Sequence, residues 1–201
     1  GLVGIGTDSP AQLLQVKGLS GLEASNSTNY WAQYCHTDNT YRINYNSSGT
    51  DEVTITSDGA ITAPYQPAFQ AHPASNQNNF AIDGYVTVIW GTERFDQGGD
   101  FASNTFTAPV AGRYQLNVFL EYIALDTAAA YYITAIVTSN RTYYFNLDPN
   151  FSVDMNYWPA ECSILADMDA SDTAYVQVYQ SGGTAQTDIG ANSNFSGFLA
   201  C

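Results

Sequence analysis

Basic side chains are scarce in this 201-residue chain: five Lys and Arg stand against 19 Asp and Glu, and the formal net charge is −14. Nucleic-acid-binding proteins use a cationic surface to displace the counterions of the phosphates, and an anionic membrane surface repels a polyanion. The composition therefore excludes nucleic acid as a partner and argues against attachment to an anionic membrane. Two interpretations of the acidic excess stay open, solubility alone and a divalent cation bound by some of the carboxylates.

The chain also lacks the residue patterns of an enzyme's active site. It has two histidines, His36 and His72. His36 follows Cys35, but neighbouring side chains on a strand point to opposite faces, so these two cannot act as base and nucleophile. No phosphate-binding loop, dinucleotide fingerprint, zinc-binding spacing or Gly-x-Ser-x-Gly elbow occurs. We predict that the protein is not an enzyme. Apart from the divalent cation left open above, the sequence indicates no cofactor.

Cysteines, long apolar runs and helix formers are scarce as well. The three cysteines are an odd number and form no disulfide framework, so we expect free thiols, with a bridge between chains at Cys201 as the alternative. No apolar run reaches the ~20 residues of a spanning helix, so no membrane insertion is expected. Because the chain begins at Gly1 without a methionine, we expect a fragment or a processed product. Short alternating runs between turn residues predict an all-β chain.

Residues 1–64 are predicted to form a small β-rich region. A short strand at Leu13–Lys17 precedes three further runs of strand-forming residues. These predicted strands are Asn29–Tyr34, Tyr41–Tyr45 and Val53–Thr56, with turns at Asn46–Gly49 and Ser57–Gly59. The region has too few Leu, Ile and Val residues to bury much surface alone, so we expect further copies of the chain to cover it.

The start of this region contains a recognisable sequence motif. Gly1-Leu-Val-Gly-Ile-Gly-Thr7 is followed by Ser9-Pro10 and then by the Leu13–Lys17 strand. This resembles the "GIGT…SP" element that recurs in bacteriophage tail fibres and related bacterial surface fibres. The resemblance implies an interwoven, trimeric β-structured stem. The alternative is a plain Gly-rich turn before a strand.

The second region carries the most informative stretch, Phe106–Val118. Pro109 fixes its φ and Gly112 tolerates a positive φ, so the pair predicts a tight corner between two strands. After the corner, apolar and polar residues alternate from Tyr114 to Glu121, which is the pattern of a half-buried strand.

With Phe95-Asp96 upstream and Asn194–Leu199 near the end, this stretch resembles the C1q-like domain, over residues 67–201. The resemblance implies a trimeric jelly roll of the C1q/TNF type, a β-sandwich used for recognition. It assigns the core and trimer contacts to Phe69, Phe106, Pro109, Gly112, Tyr114, Phe195, Gly197 and Phe198. It places strands at Pro67–Ala71, Tyr85–Trp90, Arg94–Asp96, Tyr131–Val137, Ser163–Ala166, Ala174–Tyr179 and Phe195–Leu199.

Two clusters are candidates for binding. Asp167, Asp169 and Asp172 supply oxygen ligands in a turn, which leaves calcium open, although the Gly and distal Glu of an EF-hand loop are absent. An aromatic stretch between residues 141 and 158 is predicted to be a receptor-binding loop, since aromatic rings stack on sugars or fill pockets of protein partners. Its candidates are Tyr143, Tyr144, Asn146, Asp148, Asn156, Tyr157 and Trp158. Packing in the core or between subunits is the alternative.

The sequence thus predicts a trimeric, non-enzymatic fibre tip with a stem (1–64) and a jelly-roll head (67–201). Its partner would be a glycan or an outer-membrane protein on a host cell, and its location the tail fibre of a virion assembled in the host cytoplasm. Two alternatives are a structural trimerisation clamp that contacts no receptor, and an extracellular C1q-like adhesin of a bacterial surface.

Overall fold

The computed structural model of the protein describes residues 3–5, 7–9, 11–12, 14–23, 28–46 and 49–201. In this part of the chain there are strands and turns but no helix, and hence no helix able to cross a membrane. The chain divides into two compact units, Gly1–Tyr65 and Gln66–Cys201. The all-β prediction is confirmed.

The N-terminal unit is a strand pair followed by a meander. β1 (Val3–Ile5) and β2 (Leu14–Val16) pair in parallel. The meander is a five-stranded antiparallel sheet of β3 (Ser20–Glu23), β4 (Tyr30–Cys35), β5 (Tyr41–Tyr45), β6 (Val53–Ile55) and β7 (Ile61–Thr62). β4, β5 and β6 lie where the sequence predicts strands. The predicted turn at Ser57–Gly59 forms, with Gly59 at a φ of 88°. Gly1, Leu2, Gly6, Pro10, Leu13, Ser47 and Ser48, which belong to the predicted fibre element, first strand and first turn, lie outside the described residues.

A polar network takes the place of an apolar core in this unit. Among its described residues, Ala32 is the one buried hydrophobic side chain. Asp51 accepts hydrogen bonds from Tyr34 Oη (2.8 Å), Arg42 Nη1 (2.9 Å) and Asn44 Nδ2 (3.3 Å). We call these four side chains the Asp51 network. It connects β4, β5 and the approach to β6 by directed polar contacts.

The C-terminal unit is a sandwich of two antiparallel sheets. The first, here called the β13 sheet, has the order β10-β8-β19-β13-β16, with β18 also paired to β13. The second, the β17 sheet, has the order β11-β12-β17-β14-β15, with β9 also paired to β17. The bounds are β8 (Ala68–His72), β9 (Val86–Thr87), β10 (Thr92–Gln97), β11 (Phe101–Ala102), β12 (Thr105–Thr107), β13 (Gly112–Leu125), β14 (Tyr131–Thr138), β15 (Thr142–Leu147), β16 (Met155–Met168), β17 (Thr173–Ser181), β18 (Asp188–Ile189) and β19 (Asn194–Leu199).

Stacked aromatic rings fill the core between the sheets. The Phe69 ring lies 4.9 Å from Phe101 and 4.7 Å from Phe106, nearly parallel to both, and Phe195 meets it edge-on at 4.9 Å. Alternate residues of β13 and β17 point into this layer, as the period of two in their sequences predicts. Of the signature residues, Phe69, Phe106, Tyr114 and Phe195 are buried in it.

The predicted corner forms, but Gly112 serves a different purpose from the one expected. Tyr114 Oη donates a hydrogen bond to the carbonyl of Val110 (2.8 Å) and so closes the turn that follows Pro109. Gly112 does not take a positive φ. A Cβ there would lie 2.6 Å from Leu199 Cδ1 and 2.7 Å from the Cys201 carbonyl oxygen, so close approach of the C-terminal strand requires the glycine.

Two strand predictions have the wrong length. The predicted strand at Tyr85–Trp90 is β9, which has two residues, because the Gln77 and Asn104 side chains accept the hydrogen bonds of the Ile89 and Trp90 amides. The predicted Ser163–Ala166 strand is part of the 14-residue β16. Its Pro159 is tolerated because β16 lies at the edge of its sheet, where a missing donor breaks no ladder.

Candidate functional site

The aromatic stretch predicted to be a receptor-binding loop is two strands. Tyr143, Tyr144 and Asn146 lie on β15, and Asp148 follows it. Asn156, Tyr157 and Trp158 lie on β16. The loop prediction was wrong because the aromatic residues of the stretch are strong strand formers, and packing on a sheet satisfies both the rings and the backbone.

The two strands belong to different sheets, so the candidates are divided. Tyr143 and Trp158 are partly buried against the core, and the Trp158 ring lies 4.7 Å from Phe151. Tyr144 and Tyr157 are exposed on opposite faces of the sandwich. The structure therefore does not bring the seven predicted residues into one site.

A cavity of about 160 Å³ lies where the β15 and β16 edges face each other. Asn146 and Trp158 line it together with Tyr122, Thr134 and Cys162. Tyr122 Oη and Thr134 Oγ1 hydrogen-bond to each other (2.8 Å). Burial raises the pKa of the Cys162 thiol to about 12, so it stays protonated at neutral pH and is a poor nucleophile. The cavity, which Glu161 also lines, therefore has both polar and apolar side chains in its wall and a thiol that is not a nucleophile.

A group of aromatic side chains lies on the outer face of the β17 sheet. Four tyrosines from four segments meet there, and we call them the tyrosine patch: Tyr85, Tyr131, Tyr144 and Tyr179. The Tyr179 ring lies 5.2 Å from Tyr85 and 5.9 Å from Tyr131, and it stacks on Tyr131 at an interplanar angle of 19°. Tyr144, Tyr85 and Tyr131 are 56%, 48% and 41% exposed.

Strand register brings these rings together. Tyr179 of β17 pairs with Ile133 of β14, and Tyr144 of β15 pairs with Ala135, two residues further along β14. Ala135 faces outward by alternation, yet it is fully buried and lies outside the core cluster. A small residue thus lies beneath larger neighbours, which cover it from the outer side.

The electrostatics of the patch reflect this crowding. Burial raises the pKa of Tyr85, and the nearby hydroxyl of Tyr144, then those of Tyr131 and Tyr179, raise it further. Burial also raises the pKa of Tyr179, and Tyr131 and Asp83 add to the increase. Tyr85 and Tyr179 are therefore neutral at physiological pH, and each of these two phenols can both donate and accept a hydrogen bond.

The opposite outer face, that of the β13 sheet, has a different character. Phe198 and Leu165 flank Gln115 in one row across β19, β13 and β16, and both are exposed. In the next row, Asn117 Oδ1 accepts a hydrogen bond from Ser163 Oγ (2.8 Å). This face mixes exposed apolar side chains with amides and hydroxyls. Of the signature residues, Phe198 and Pro109 are thus exposed, whereas Gly197 is buried against Leu116 and Phe69.

The acidic turn between β16 and β17 does not bring its three aspartates together as ligands of one metal ion. Asp172 Oδ2 accepts hydrogen bonds from the Asp169 amide and from Asn140 Nδ2, both at 2.8 Å. Asp167 and Asp169 do not converge on it, and nowhere in the described ranges do three His, Cys, Asp or Glu side chains form a group that could hold a metal ion. The carboxylate of Asp172 caps the turn, and this arrangement gives the suggested calcium ligands no support.

Sequence reasoning missed three of the four patch tyrosines. Alternation along Tyr175–Tyr179 does place Tyr179 on the outer face, and the same pattern places Tyr131 there. What the sequence does not contain is the cross-strand register that joins these positions to Tyr85 and Tyr144. The candidate site is therefore a product of sheet pairing.

Comparison with known proteins places the fold. No family model matches the chain, and no curated protein matches it. Among solved structures it is similar to the globular domain of zebrafish complement 1qA protein, at 16% identity and a TM-score of 0.50, covering 68% of this chain and 98% of that one. Two structures of murine APRIL match at 8% and 11% identity, each with a TM-score of 0.48 over 67% of this chain and 98% of that one. The two-sheet sandwich of this protein has the C1q/TNF-like jelly-roll fold.

Proposed function

We propose that the protein is the homotrimeric, non-enzymatic tip of a bacteriophage tail fibre and attaches the virion to a receptor on the host cell surface. The jelly-roll fold supports a recognition role, and the fibre-type sequence motif in residues 1–18 supports the assignment to a fibre. The observation that carries the proposal is the poor core of the N-terminal unit, where Leu22 and Ile61 are 77% and 68% exposed. Such a unit needs further copies to cover its apolar surface.

The outer face of the β13 sheet supports the same assembly. Phe198 and Leu165 are large and exposed, and they lie on either side of Gln115 in one row of the sheet. Exposed apolar groups rimmed by polar residues mark surfaces of protein association. Three identical heads on one tip would also give three equivalent receptor sites, which raises avidity far above the affinity of one site.

Solution mass tests the assembly. Three copies of the 21.8 kDa chain weigh about 65 kDa, and light scattering after size exclusion should give this mass. Phe198→Asp should lower it by placing charge on the β13 face, whereas Val153→Asp, at an exposed position of the β15–β16 connection, should not. A stable wild-type monomer would remove the fibre-tip proposal.

Cell adsorption tests the recognition role. The purified trimer should bind host cells and compete with intact phage for them. A trimer that neither binds nor competes across a broad panel of hosts would favour the structural clamp. Genomic neighbours without virion genes would favour the bacterial adhesin.

A further inference from the structure

The tyrosine patch has the chemistry of a carbohydrate surface. Its rings are rigid, carry hydroxyls and lie on a sheet, so little conformational entropy is lost when a ligand packs on them. Tyr131 and Tyr179 stack on each other with nearly parallel rings, at an interplanar angle of 19°. The amides of Gln177 and Asn146 lie at register positions beside Ala135 and Ile133, within the same outer face.

The charged side chains around the tyrosine patch indicate which chemical class of ligand it can bind. The C-terminal unit, which the structure describes throughout, contains three cationic side chains, Arg94, Arg113 and Arg141. The first two are on β10 and β13, in the other sheet, and the Arg141 guanidinium lies 6.0 Å from the ring of Tyr143, which faces the core. Asp83 is the ionic group beside Tyr179. No cationic side chain of the patch would therefore neutralise a sulfate, phosphate or carboxylate of an acidic saccharide.

A protein receptor fits less well. Protein interfaces are enriched in Trp, Phe, Met and Arg as well as Tyr. The patch has tyrosine and amide side chains around a small, covered Ala135, and none of the other four types. Hydroxyl-bearing rings and amides match the alternating apolar faces and hydroxyl edges of sugars.

We propose that the tyrosine patch is the receptor-binding site and that its ligand is a neutral glycan, stacked on Tyr131 and Tyr144 and hydrogen-bonded by the surrounding hydroxyls and amides. This rests on the recognition role proposed above and names the ligand class. It also moves the predicted site from the β15–β16 stretch to the outer face of the β17 sheet, and Tyr144 and Asn146 are the residues that the two sites share.

The test is binding of the full chain to an array of neutral and anionic bacterial-surface oligosaccharides, followed by calorimetric titration with the best neutral one. Tyr131→Ala and Tyr144→Ala should each weaken binding about tenfold or more, the size of a hot-spot loss. Tyr144→Phe keeps the ring and should weaken it by a smaller factor. Tyr65→Ala removes a tyrosine of similar exposure, 59%, outside the patch and should change nothing. Circular dichroism and light scattering check that each variant keeps its fold and mass.

The outcomes separate the two proposals. If no neutral glycan binds, if anionic glycans bind best, or if the alanine variants bind as well as wild type, the glycan site is overturned. If in that case the trimer still adsorbs to cells, the recognition role survives with a protein receptor or another surface. A monomer that adsorbs to no cell overturns the recognition role itself, whatever the array shows.

Discussion

Different interactions stabilise the interior of each of the two units of this chain. The N-terminal meander has the Asp51 network at its centre and one buried hydrophobic residue among those described, whereas the C-terminal sandwich has stacked phenylalanines and apolar strands. Both are antiparallel sheets with similar turns. The difference shows that a sheet can be ordered locally by polar contacts, but that independent stability comes from apolar area removed from water.

Energetics explain why the difference matters. A carboxylate paired with a guanidinium gains attraction but loses hydration, so such a pair fixes geometry more than it adds stability. The Phe69 stack pays no comparable desolvation penalty. The N-terminal unit should therefore depend on assembly and on pH, and the C-terminal unit on neither to the same degree.

Separating the units should give the largest effect. Residues 66–201 alone should fold and unfold in one cooperative transition, because their core is complete within the unit. Residues 1–65 alone should be unfolded as a monomer, since the one hydrophobic residue buried among those described cannot offset the conformational entropy of the chain. Circular dichroism and amide dispersion in NMR spectra measure both. A folded monomer of 1–65 would show that the polar network suffices.

Phe69→Ala should destabilise the C-terminal unit by about 3–5 kcal/mol, since it removes the ring shared by three aromatic contacts and leaves a cavity. Urea denaturation followed by near-ultraviolet circular dichroism measures the loss. Phe95→Ala is the matched control on neighbouring β10, where the ring is exposed, and should stay within about 0.5 kcal/mol of wild type. Trp31→Ala, the N-terminal counterpart, should leave this transition unchanged.

Acid should loosen the N-terminal unit first. Burial alone would raise the pKa of Asp51, but the hydrogen bonds from Tyr34 and Arg42 outweigh it and lower the pKa below 3.8. A carboxyl with a lowered folded-state pKa contributes its stability above the unfolded-state pKa and loses it as pH falls through the folded-state value. Below about pH 4, β5 and β6 should therefore lose protection.

Hydrogen exchange of residues 41–55, corrected for intrinsic rates, measures that loss. Asp51→Asn should reduce the pH dependence and cost about 1–3 kcal/mol of local stability at neutral pH, because Arg42 loses the Asp51 carboxylate and keeps Asp38 as a charged partner. Asp58→Asn, on the exposed turn before β7, is the control. Equal acid sensitivity in wild type and Asp51→Asn would assign the effect to other carboxyls.

How far the sequence predicts the structure depends on the range of the interaction. Alternation along β13 and β17 identifies their buried faces, and the turn residues place β4, β5 and β6, because these are local effects. The full length of β16 could not be predicted, because Pro159 argues against a strand unless the strand lies at the edge of a sheet. Only the sheet order shows that β16 does. The tyrosine patch could not be predicted either, because it joins segments from Tyr85 to Tyr179 through cross-strand register.

The smallest effect concerns the turn between β16 and β17, which contains Ser171 and Asp172. The Asp172 amide bonds to the Asp169 carbonyl (3.0 Å), and Ser171 takes a φ of 76°, as the third residue of a type II turn must. A left-handed φ costs an L-residue about 1–2 kcal/mol, and a glycine avoids this cost. Glycine also has more conformational freedom in the unfolded chain, which offsets part of that gain. Ser171→Gly should therefore stabilise the unit by about 0.5 kcal/mol. Ala170→Gly is the control, one position earlier, where φ is not positive, and it should destabilise the unit by a similar amount. Urea denaturation measures both variants. If their midpoints shift in the same direction, this account of the turn is contradicted.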